Sequence, residues 1–75
     1  MVWNHRIVKR VYHHASGDET TYQIHEVYYD EIGSEPTNIT LDPIAPLGET
    51  VEELKEELNR MLRALEHPVL NYEDF

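Results

Sequence analysis

Residues 48–68, Gly-Glu-Thr-Val-Glu-Glu-Leu-Lys-Glu-Glu-Leu-Asn-Arg-Met-Leu-Arg-Ala-Leu-Glu-His-Pro, constrain the fold more than any other stretch of this chain. Val51, Leu54, Leu58, Met61, Leu62 and Leu65 recur on one side of a 3.6-residue period. Thr50 precedes that stripe and Glu53 follows three residues later, the spacing at which a hydroxyl and a carboxylate satisfy the free amides of a helix start. Acids fill the early turns (Glu52, Glu53, Glu56, Glu57), and Arg60 and Arg63 fall late, both in keeping with the helix dipole. Pro68 forbids continuation and pushes His67 out of the helical region. The segment therefore predicts one amphipathic helix near 51–66, about four turns long. Its leucine face needs a cover.

The cover comes from the first half of the chain. Residues 2–14 hold Trp3, Ile7, Val8, Val11 and Tyr12 with no glycine or proline, which predicts a strand. Ser16-Gly17-Asp18 reads as a turn, and a second strand follows near 20–30. A two-residue turn at Gly17-Asp18 would place Val11 opposite Ile24, Ile7 opposite Tyr28, Lys9 opposite Glu26 and His5 opposite Asp30. Trp3, Ile7, Val11, Ile24 and Tyr28 then share the face that meets the helix. Residues 38–42 predict a short third strand, and Pro43 and Pro46 bar further pairing before the helix. The expected architecture is α+β: a three-stranded antiparallel β-β-β-α meander in one domain, residues 1–75, with the helix on one face and a tail at 67–75.

With 75 residues and no cysteine, the chain lies where a single core barely suffices and where neither disulfides nor zinc thiolates can help. The opening Met-Val-Trp-Asn-His-Arg lacks a signal-peptide core, and no stretch reaches membrane-spanning length. The expectation is a cytoplasmic protein with no membrane contact. Net charge is −9, yet residues 1–14 carry Arg6, Lys9 and Arg10 and no acid, so the remainder carries −12. A field of that sign disfavours nucleic acid and favours basic partners.

Trp3-Asn4 with Arg6, Ile24 to Asp30, Asp42-Pro43, Ala45-Pro46, Gly48-Glu49-Thr50 and Pro68-Val69-Leu70 resemble a family of short bacterial hypothetical proteins. That likeness implies no activity and carries no catalytic residue. The step Gly48-Glu49-Thr50-Val51-Glu52-Glu53 also resembles the approach to the helix in HicB-like antitoxins, whose β-β-β-α domain is a partial ribonuclease-H-like fold. Asp42-Pro-Ile-Ala-Pro-Leu47 departs from the segment those proteins carry before it. The second likeness implies an inhibitor of a basic ribonuclease.

Five histidines, His5, His13, His14, His25 and His67, raise the question of a metal. A zinc site needs three or four converging ligands. Adjacent His13 and His14 point to opposite sides of a strand, and His25 lies on the face opposite His5. No metal or cofactor is expected. No nucleophile triad or phosphate loop is present, and a meander this small has little room for a pocket, so no enzyme is expected. What remains is the second sheet face: Arg6, Val8, Arg10, Tyr12, His25, Val27 and Tyr29. Tyrosine and arginine are favoured interface anchors. That face predicts an interaction or regulatory module, with a homodimer pairing there and the partner otherwise unspecified. The same tyrosines and arginines could instead stack single-stranded nucleic acid, or the tail Val69 to Phe75 could fold back over them.

Overall fold

The computed structural model describes residues 2–75. Strands β1 (Val2–His14) and β2 (Gly17–Tyr29) form an antiparallel hairpin of 13 residues on each side. At roughly 3.3 Å per residue, that hairpin sets the 43 Å long axis of the molecule. Ala15 and Ser16 make the turn with negative φ, and Gly17, at φ +132°, takes up the left-handed residue that follows. This is the logic of a tight turn closed by a glycine bulge. The turn is therefore centred two residues earlier than Gly17-Asp18. Trp3 faces Tyr28, His5 faces Glu26, Ile7 faces Ile24, Lys9 faces Tyr22 and Val11 faces Thr20. The pairings expected from the sequence are displaced by four residues. Four is even, so every side chain keeps its face.

Strand β3 (Pro36–Ile39) pairs with the outer edge of β2, its proline at the first position where no ladder donor is required. The chain then clings to that edge through Thr40 N to Glu26 O (3.0 Å) and Ile44 N to Ile24 O (2.8 Å). Pro43 and Pro46 hold it extended. Gly48 follows because a side chain there would strike the backbone of Glu53 and Leu54.

Helix α1 (Val51–Leu62) starts at Thr50, whose hydroxyl accepts from Glu53 N at 3.1 Å. The Glu53 carboxylate reaches back one residue beyond the cap, to Glu49 N at 2.9 Å. Residues Arg63–Glu66 tighten into a 3₁₀ turn, and His67 is extended ahead of Pro68. Leu70–Asn71 then forms β4, parallel to β1 and paired at Val8 and Lys9. The fold is α+β, but its sheet is four-stranded and mixed in the order β3-β2-β1-β4. The three-stranded meander is corrected on this point. The tail supplies the fourth strand because β1 still has one unpaired edge, and an edge of free N–H and C=O groups invites pairing.

The helix lies over the Ile7 face of the sheet, as its partition of apolar residues predicts. Its roll differs from the expected one. Met61 and Ala64 are buried, and Leu54 and Glu57 are half-buried; these four, three to four residues apart, form the edge turned to the sheet. Leu58, Leu62 and Leu65 remain 48, 62 and 67% exposed. The pin is polar: Glu57 Oε1 lies 3.4 Å from Nε2 of buried His5. Glu57 can reach His5 only if the leucines turn aside.

Candidate functional site

That roll opens a groove of about 670 Å³ between the helix and the sheet. Its floor is Ile7 and Ile24, one wall is Leu58, Leu62 and Leu65, and the other is the crossover from Pro43 to Pro46. Tyr22, exposed, stands at one side. Oxygen and nitrogen groups do not converge here. Such a surface binds by burying apolar area, at roughly 25 cal/mol per Å² removed from water. Lys55 and Asn59 flank the stripe on its outer side, while Glu53, Glu56 and Arg60 project from the side of the helix away from it. Arg60 is partly engaged, donating to Glu57 Oε2 at 2.6 Å.

The Val8 face, expected as an open interaction surface, is largely covered, with Arg10, Tyr12 and Tyr29 half-buried. Val8, Val27 and His25 have no exposure, and Arg6 retains only 8%. After β4 the chain turns Tyr72 back across this face. The Arg10 guanidinium carbon sits 3.9 Å from the Tyr72 ring centre and 4.8 Å from that of Tyr12. The His25 ring lies 6.1 Å from the Tyr72 ring. Its Nδ1 faces the Thr40 carbonyl oxygen at 3.0 Å; a carbonyl only accepts, so Nδ1 carries the proton. Arg6 donates to Tyr29 Oη at 3.0 Å and to the Pro68 carbonyl at 2.7 Å, and Tyr29 Oη donates to Asn4 Oδ1 at 2.9 Å. The seven residues do come together, as a second core beneath the tail. Tyr72 occupies the part of this face around Arg10 and His25 on which a homodimer or stacked nucleic acid was expected to rest.

The histidines disperse. His5 pairs with Glu57 under the helix, His13 meets Asp18 at 2.9 Å and His14 meets Glu19 at 3.8 Å at the exposed hairpin tip. Among the described residues no three His, Asp or Glu side chains gather as a metal centre requires. On the helix side, partial burial, reinforced by the charge of Glu26 and a hydrogen bond to its carboxylate (3.3 Å), raises the Tyr28 phenol above its usual value of 10.0. None of the described helices is long and apolar enough to cross a membrane.

The chain matches no family model, no curated protein and no solved structure. The groove was not legible as a site because its leucines read as core. The signal that could have found it is Glu57, an acid within the arc that also holds Leu54, Met61 and Ala64.

Proposed function

We propose that this protein is a non-catalytic interaction module that works as a symmetric pair, each copy laying its helix against the other's leucine stripe. The observation that carries this reading is the stripe itself: three leucines on an ordered helix, more than half exposed on average, beside an apolar groove. Contiguous apolar patches of this kind mark interaction sites on soluble proteins.

Symmetry argues for a second copy: two-fold pairs are self-complementary by construction, and a leucine stripe meets its own copy apolar on apolar. Surface area argues the same way. The chain exposes 5703 Å², against about 4,800 Å² for a compact monomer of its mass. The excess, about 900 Å², is close to the ~800 Å² that each partner contributes to a standard interface. Part of it is the polar hairpin tip, and the apolar part is the groove.

Sedimentation of the wild type and of Leu62→Glu tests the reading. Leu62 is exposed, so the variant folds, with an unchanged far-ultraviolet spectrum. The wild type is expected to sediment as a dimer in the micromolar range and the variant as a monomer. A wild type that stays monomeric throughout that range, or a variant that still pairs, overturns the proposal.

A further inference from the structure

Arg6 is a buried cation that forms no ion pair among the described residues. A charge removed from water is ordinarily paired with its opposite. Two of a guanidinium's five N–H donors are used here, by Tyr29 Oη and the Pro68 carbonyl. Its Nε is buried with no partner. Arg6 lines a cavity of about 350 Å³ at the end of the sheet remote from the hairpin turn, together with Asn4, Tyr29, Ser34 and His67. Val2 and Ile32 give it an apolar side, and no carboxylate is among its lining residues. The cavity is separate from the leucine groove, with which it shares no residue.

We infer that this cavity is a binding site for a small organic carboxylate, with Arg6 as the recognising cation. The guanidinium fork matches a carboxylate, and such charge-assisted bonds are stronger than neutral ones. The His67 ring supplies a further polar group at the wall, the Ser34 hydroxyl being committed to the Glu31 carbonyl at 2.7 Å, and Val2 and Ile32 receive the apolar body of the ligand. The net charge of −9 narrows the class further. It helps the protein hold an unpaired Arg6, and it repels polyanions, so a singly charged ligand fits where a nucleic acid or a polyphosphate does not. Asp30, Glu31 and Glu35 lie in the adjoining loop but outside the cavity wall, which adds to that filter.

The test uses phenylacetate, its neutral isostere phenylacetamide and inorganic phosphate as probes, read by calorimetry and by the Arg6 Nε–H resonance. Replacing Arg6 risks the fold, because it also holds the Pro68 carbonyl. Ile32→Asp avoids that risk: Ile32 is 89% exposed, and an aspartate there places a carboxylate in the same cavity. Ile32→Asn is its uncharged control. Phenylacetate is expected to give saturable heat and to shift the Arg6 resonance in the wild type and Ile32→Asn. Ile32→Asp should bind it at least about tenfold more weakly. No saturable heat with phenylacetate overturns the site. Equal binding of phenylacetamide, equal binding by Ile32→Asp, or a response to phosphate alone overturns the carboxylate assignment.

Discussion

The Val8 face of the sheet carries Asn4, Arg6, Arg10 and His25 and is covered over Val8 and His25, leaving a cavity at its far end; the Ile7 face carries Ile7, Val11, Ile24 and Tyr28 and is half open along the leucine groove. Hydrophobicity alone would assign the opposite. The difference lies in what each cover offers. The tail brings a backbone carbonyl to Arg6 and an aromatic ring to Arg10, so cations on that face gain partners as they lose water. The helix brings leucines, but it also brings Glu57, and Glu57 must reach His5. Glu57 is half-buried and meets both His5 and Arg60, so the helix turns this polar edge, with Met61 and Ala64, to the sheet and leaves its leucines outward.

The largest effect should come from removing the seal. A chain ending at Pro68 loses β4 and Tyr72 and uncovers Val8, His25 and Val27. Its loss should approach the whole stability of so small a domain, about 3–5 kcal/mol, seen as a lost cooperative melt by circular dichroism. A truncated chain that melts as the wild type does would show that the tail is a passenger and the Val8 face is open after all.

Next comes the roll of the helix. Met61→Ala should cost about 2–5 kcal/mol, whereas Leu58→Ala, half exposed in the monomer, should cost well under that in dilute solution. The sequence pattern weights the two alike. If chemical denaturation ranks Leu58 above Met61, the sheet-facing edge has been misassigned. Thr50→Ala should cost about 1 kcal/mol and sharpen the contrast in another way. Hydrogen exchange should rise in helix α1 and leave the β1–β4 pairing protected, since the tail does not depend on the cap.

The smallest effect concerns Tyr28, on the half-open face. Its folded pKa is raised, so the folded chain holds the phenolic proton more tightly than the unfolded chain does. Its contribution is complete below pH 10 and is lost as pH climbs through the folded value. Phenolate absorbance of the wild type minus that of Tyr28→Phe should titrate above 10. A difference spectrum centred at or below 10 would mean that neither partial burial nor Glu26 acts on this phenol.

Much of the architecture was legible in the sequence. Thr50 and Pro68 marked the ends of the helical region, the run from Val2 to His14 marked the first strand, and the alternation of its side chains marked the faces. The register was not legible, because Gly17 serves equally well as the first residue of a two-residue turn or the third of a longer one. Only tertiary contacts choose between them. The tail's role was stated as an alternative and could not be decided, since Leu70 and Tyr72 show no period over so few residues. For the candidate site, the leucines were identified and their fate was not. The unpaired state of Arg6 is invisible in a sequence, where fifteen acids appear to offer ample partners.

The short parallel strand β4 also determines when the fold can finish. It joins Leu70 to Val8, and Arg6 bonds to Pro68 across 62 residues of chain. The first strand synthesised thus becomes an inner strand only after the last strand has formed. Contacts of such separation slow folding, since a long loop must close before anything rewards it. A nascent chain would carry its hairpin with Val8 and Val27 uncovered until residues 68–72 emerge. Completion is then a single late event, in which edge pairing, the Arg6 bond and the Tyr72 lid arrive together.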